Sequence, residues 1–269
     1  MIFITKNYFF GGKVDFENSI IEDNYISPVS IEEDYPNINY EKLNKKVEEK
    51  IISNLSSAAK FKYNFLPEEL FFESELKTYL DSIDSFLNSK IIEPKISFLE
   101  LFLNKQKGEV RGKMKNKSIH LFGVYNMKEA ESLSVTIHEF GHFLDLYILE
   151  KKVTKDISDF FYEISWINTT TLKPSMEQKD FVSGYSMTNK YEDFAESFTY
   201  YILHNNDFYE KSLLSETLKK KYDFFSDYIF RNDEFKTNSY KTINYISDYY
   251  RDITKIEYSL QNFLQYLKK

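Results

Sequence analysis

The sequence predicts an α+β fold, a small mixed sheet with one central helix followed by a mostly helical part. Two observations carry this. Only 7 Gly and 5 Pro interrupt 269 residues, so long helices meet few breakers. Apolar residues recur at helical spacing over most of the chain, but between residues 95 and 124 the pattern changes to strand-like runs and alternation. Hydrophobic residues at 42% and charged residues at 29% are enough for a buried core and exclude a disordered tail. The 25 Phe and 22 Tyr point to a core built from rings.

Each element follows in order. Residues 1–39 hold Asp15, Glu17, Glu22, Asp23, Glu32, Glu33 and Asp34 against Lys6 and Lys13, and read as short strands and loops with a solvated acidic surface. Leu43, Val47, Ile51 and Leu55 mark a helix over 40–59. Pro67, with Glu68 and Glu69 behind it, suits a helix start, and Phe72, Leu76, Leu80, Ile83 and Leu87 continue that helix. Residues 95–103, 108–114 and 118–124 read as strands, the last two joined by a turn at Lys115–Lys117. Leu133, Ile137, Phe140, Leu144 and Ile148 predict a helix over 128–150. A short helix over 155–167, a loop over 169–180, a helix over 190–204 and a mostly helical remainder complete the chain.

Composition excludes several functions. The net charge of −7 argues against nucleic acid as the partner. Arg111, Arg231 and Arg251 are the only arginines, so bidentate phosphate clamps are scarce. The absence of Cys removes disulfides, thiolate zinc sites and cysteine nucleophiles together. No run approaches the ~20 apolar residues of a membrane span. The first residues lack the basic start and apolar length of a signal peptide, which predicts a chain that stays inside, leaves by another route, or has already been processed.

The chemistry sits in SVTIHEFGHFLDL, which contains His138-Glu139-Phe140-Gly141-His142, an H-E-x-x-H motif. Residues four apart share one helix face, so both imidazoles can point at one metal ion. Glu139 follows the first of them, where its carboxylate reaches a metal-bound water and is poorly placed to ligate. Two of the chain's four His fall in this step, inside an amphipathic helix. The pattern predicts one Zn²⁺ per chain. A catalytic zinc takes three protein ligands and leaves one position open. No third His follows at short spacing, so a carboxylate must supply the third ligand. Glu192 and Glu196 lie four apart on one later helix. Spacing alone leaves two readings open: Glu192 as ligand with Glu196 orienting an imidazole, or Glu192 as capping-box partner of Asn189 with Glu196 exposed.

The pairing of VTIHEFGHFLD with Tyr185, Glu192, Phe194, Ala195, Glu196 and Phe198 resembles the anthrax lethal factor-like peptidases, including the Pro-Pro endopeptidases. The resemblance covers roughly residues 108–205. It implies a zincin-like fold of gluzincin type, with Glu192 as third zinc ligand, Tyr185 as donor to the transition-state oxyanion and Glu196 behind the ligands. One peptidase domain is expected over 1–269, with a mixed α/β part to 142 and a mostly helical part from 143. The resemblance also implies secretion, a toxin or virulence role, an unidentified carrier or delivery partner, and proline in an extended protein substrate. In zincins an edge strand pairs with that substrate. By position this is the strand with Val110, Arg111, Gly112 and Lys113. Its basic rim (Lys105, Lys107, Arg111, Lys113, Lys115 and Lys117) suits acidic side chains, or simply keeps an exposed edge from aggregating.

The function expected is therefore a zinc endopeptidase. An intracellular regulatory metallopeptidase and a catalytically inactive docking module on the same fold are the alternatives. Of the other residues, His120 and Trp166 read as packing groups and His204 as a polar residue near a helix end; Asp145, three past His142, is within reach of the site's lower edge but reads as a helix-surface residue.

Overall fold

A computed structural model describes residues 61–65, 73–96, 99–104, 107–149, 156–230, 234–235 and 250–269. The acidic stretch 1–39, the helix over 40–59 and the helix start at Pro67 lie outside these residues. The chain forms two units, Met1–Leu80 with Phe98–Met127, and Asp81–Ser97 with Lys128–Lys269.

The first unit carries a four-stranded sheet of β1 (Phe61–Phe65), β2 (Leu99–Asn104), β3 (Gly112–Lys115) and β4 (Ser118–Phe122), in the order β1-β2-β4-β3. Strand β1 lies where the sequence reading assigned no strand. β1, β2 and β4 run parallel, and β3 pairs antiparallel with β4. A parallel pair needs a long crossover, and between β1 and β2 the chain runs through helix α1 (Glu73–Leu87).

Side chains of this sheet alternate as a period of two requires. Leu99, Leu101, Leu103, Met114, Ile119 and Leu121 are all fully buried on one face. Phe102, His120 and Lys113 share the other face, and His120 stacks on Phe102 with centroids 4.5 Å apart. The β3–β4 hairpin turns through Asn116 and Lys117, both at positive φ (48° and 65°), as a two-residue turn matched to strand twist requires. Strand β3 is shorter than predicted. Val110 and Arg111 precede it in a bend, although the Arg111 carbonyl still accepts from Phe122 N–H.

The second unit is helical. Helix α2 (Glu129–Phe143) holds the H-E-x-x-H step and continues into a π-helical turn, Leu144–Leu149. Helices α3 (Ile157–Ser165), α4 (Lys190–Leu203), α5 (Asn205–Ser212), α6 (Glu216–Phe224) and α7 (Leu260–Leu267) follow. Asp156 and Asp159 form a reciprocal capping box that starts α3. The core is a ring cluster. Phe161 meets Phe194 edge-on at 5.1 Å, Phe194 meets Phe225 at 5.3 Å, and Phe140 meets Phe198 at 6.0 Å. No described helix is long and apolar enough to cross a membrane.

Burial and the charges of Lys115 and Lys113 lower the His120 pKa to about 4. The unfolded chain therefore takes up a proton on this group near pH 6.5, before the folded chain does. Its contribution to stability is complete above about pH 6.5 and is lost as pH falls toward 4. Substituting His120→Phe should flatten stability against pH across that window. Urea denaturation at several pH values reads this, and an unchanged slope would contradict the assignment.

Candidate metal centre

The two histidines stand one turn apart on α2, with rings 4.9 Å apart and nearly perpendicular. Opposite them is α4, and the contact between the two helices is unusually close. A Cβ placed on Gly141 would lie 3.1 Å from the Ala195 Cα and 3.1 Å from Phe198 Cδ1. Glycine between the two histidines, facing a small residue, lets the backbones approach. That approach lets a glutamate from α4 reach both imidazoles.

Glu192 is that glutamate. Its Oε2 lies 3.2 Å from His138 Nε2 and 3.4 Å from His142 Nε2. The candidate ligand atoms of His138, His142 and Glu192 all fall within 4.8 Å of one another, and all three residues are buried. Ligands ~2.1 Å from a central zinc in a tetrahedron are separated by about 3.4 Å. Both separations match that edge. They are longer than the ~2.8 Å of an unstretched charge-assisted hydrogen bond. Two imidazoles and one carboxylate are also the donor set that zinc accepts.

The capping alternative is half right. Asn189 does cap α4, its side chain accepting from Tyr191 N–H (2.9 Å) and Glu192 N–H (3.0 Å). The Glu192 carboxylate nevertheless faces the histidines. One residue thus serves the cap through its backbone and the centre through its side chain. Glu196, one turn on, is completely buried rather than exposed. Its Oε1 lies 3.1 Å from His138 Nδ1, while its Oε2 accepts from Ser183 Oγ–H at 2.6 Å and Ile253 N–H at 2.9 Å. A carboxylate so placed accepts a hydrogen bond from Nδ1–H, and in the neutral ring that leaves the Nε2 lone pair directed at the cluster.

Burial opposes charge on His138, but hydrogen bonds and charges from Glu192 and Glu196 outweigh it and raise its pKa well above the usual value. Burial likewise opposes ionisation of Glu192, and the charge of His142 and the bonds to both histidines reverse that, holding its carboxyl well below the usual range. Tyr185, in a short 3₁₀ turn ahead of α4, has its ring centroid 6.2 Å from that of His138. The charge of Glu192 first, then burial and the charge of Glu139, push its pKa far up. The hydroxyl keeps its proton and is a donor. Glu139 is buried on the turn between the two histidines.

Behind Glu192, Asp193 and Lys221 form an ion pair at 2.8 Å with both side chains fully buried. Trp166 Nε1–H donates to the same carboxylate at 2.9 Å, so the lone tryptophan both packs and fixes α4. Asp145 departs from its surface reading. It is buried, and Tyr162 O–H donates to it at 2.5 Å; burial pushes its pKa up to about 6. His204 sits at the end of α4 but is buried beside Tyr200. Ser183 belongs to Ser183-Gly184-Tyr185, a run that also looks like the lethal factor-like pattern, although sequence alone assigned it no role. Ile253 was not singled out: it acts through its backbone and leaves no sequence signal. Val110, Arg111, Gly112 and Lys113 belong to the first unit.

The close helix contact predicts the effect of Gly141→Ala. Alanine gains ~0.5–1 kcal/mol of helix propensity, but overpacking costs about 1–3 kcal/mol where backbone must yield. The variant should keep its helix content, melt at lower temperature and bind zinc more weakly. Thermal denaturation with zinc titration checks this, and a raised melting temperature would show that the helices part easily.

A family model described as "Putative zinc-binding metallo-peptidase" matches residues 100–258, more than half of the chain. No curated protein matches. The match contains all of the residues just described, from the two imidazoles to the Ile253 amide, and the chain belongs to this family of zinc-binding metallopeptidases.

Proposed function

We propose that the protein is a zinc endopeptidase of gluzincin type, with His138, His142 and Glu192 as ligands. The observation that carries this is the convergence of two Nε2 atoms on one carboxylate oxygen at tetrahedral spacing. Zinc, when bound, supplies a Lewis acid that polarises the peptide carbonyl and brings the pKa of water toward ~7. The protein supplies the rest. Glu139 takes the proton from the attacking water and returns it to the leaving amine. Tyr185 keeps its own proton and donates a hydrogen bond to the oxygen that becomes negative. Glu196 holds the His138 ring in the tautomer that offers Nε2.

In this reading the substrate is an extended segment of a protein. It adds to the edge of the sheet at β3, through the backbone of Val110–Lys113, and the basic side chains there favour acidic neighbours in the substrate. The resemblance to lethal factor-like peptidases supports a zincin-like fold, secretion and a preference for proline near the cut. The intact set of Glu139, Tyr185, Glu192 and Glu196 weighs against a catalytically inactive docking role.

Glu139→Gln should hold zinc in stoichiometric amount and lose turnover by ~10²–10⁴-fold. Equal activity in variant and parent would remove the general-base role. Tyr185→Phe should lower kcat by ~10²–10³-fold at little-changed KM, since the hydroxyl acts on the transition state. Zinc analysis beside a peptide-library cleavage profile reads both, and the library shows whether proline matters.

A further inference from the structure

The last described segment, residues 250–269, contacts the centre in a way that no motif records. The Tyr250 carbonyl accepts from Gly184 N–H at 2.9 Å, and the Arg251 carbonyl accepts from Tyr185 N–H at 2.7 Å. Two residues on, Ile253 N–H donates to Glu196 Oε2 at 2.9 Å. The same oxygen takes Ser183 Oγ–H at 2.6 Å. Residues 183–185, residues 250–253 and Glu196 thus close a ring of hydrogen bonds. One side of it carries Tyr185, and the other ends on the carboxylate beside His138.

The segment is anchored independently of these bonds. The Asp252 side chain accepts from Thr254 N–H at 2.9 Å and caps the turn Ile253–Lys255. Ile253, Thr254 and Ile256 are buried. Tyr258 O–H donates to the Ala130 carbonyl on α2 at 2.9 Å. The segment therefore brings Ile253 N–H to Glu196 as a preset donor.

We infer that Ile253 is a positioning residue. Its backbone N–H fixes the Glu196 carboxylate, and through it the His138 ring, while the same strap places Tyr185. This rests on the zinc peptidase reading and deepens it. The strap couples two functions that a sequence motif keeps apart, grip on the metal and stabilisation of the oxyanion. Without Ile253 N–H the Glu196 carboxylate keeps Ser183 Oγ–H on Oε2 and the His138 ring on Oε1, and loses the one backbone donor that fixes it.

The test is Ile253→Pro in the full chain, with Ile253→Val as control. Proline removes this N–H and also replaces the buried Ile253 side chain, a loss of packing that Ile253→Val partly reproduces. Asp252 before it is already extended (φ −148°, ψ 117°), as a residue ahead of proline must be, and the first position of a helical turn tolerates the ring. Zinc affinity is measured by competition with a chelator, and the visible spectrum of the cobalt-loaded chain reports the ligand geometry. Ile253→Pro should bind zinc ~10–100-fold more weakly than Ile253→Val and shift the cobalt bands. Its kcat should fall more than its KM changes. Affinity and spectrum equal to the control would overturn the inference.

Amide exchange of Ile253 in the unmodified chain is a second reading that needs no variant to fold. Zinc should slow it, and equal exchange with and without zinc would also overturn the inference. An unmodified chain that takes up no zinc sinks the peptidase reading itself. Uptake by the parent beside an unaffected proline variant sinks only the role of Ile253.

Discussion

The candidate centre depends on how closely two helices approach. Gly141 has no side chain, Ala195 has a small one, and the backbones of α2 and α4 meet across them. A Cβ at Gly141 would press on the Ala195 Cα and the Phe198 ring, and α4, which carries Glu192, would have to give by a few tenths of an ångström. The aromatic rings around this contact, Phe140 against Phe198 and Phe194 against Phe161, fill the space on either side and hold the spacing.

Three buried carboxylates near one another take different roles because their partners differ. Glu192 faces two ring nitrogens and stays ionised between them. Glu196 is held by Ser183, Ile253 and His138, so its orientation is set from three sides. Asp193 turns to another face of the same helix and pairs with Lys221, where breaking one partner of a fully buried pair costs about 3–5 kcal/mol. Because Asp193 is next in sequence to Glu192, this pair also fixes the rotation of α4 about its axis. The direction in which Glu192 points is therefore a property of the surrounding packing as much as of the residue.

The α+β class was legible in the chain, as were three of the four strands and the helices at 129–143, 157–165 and 190–203, because each has a local periodicity or cap. Strand β1 has the alternation Phe61, Tyr63, Phe65 and could have been read. The boundaries of β3 could not, since Val110 and Arg111 alternate as strand residues do and only the pairing partner decides where the ladder ends. Asp145 looked like a surface residue because helical spacing places it beyond the apolar stripe. The π-helical turn at Leu144–Leu149 and the Tyr162 hydroxyl put it inside instead.

That His138 and His142 face a common point was determined by sequence alone, because one helical turn brings residues four apart to a common face whatever surrounds them. Whether Glu192 was a cap or faced the histidines lay beyond it. Cap and ligand share one spacing, and only the packing of α4 against α2 separates them. Ile253 was out of reach entirely, for it acts through a backbone N–H that every residue but proline carries. Only the folded path of the chain, returning 57 residues later to Glu196, gives that group its place.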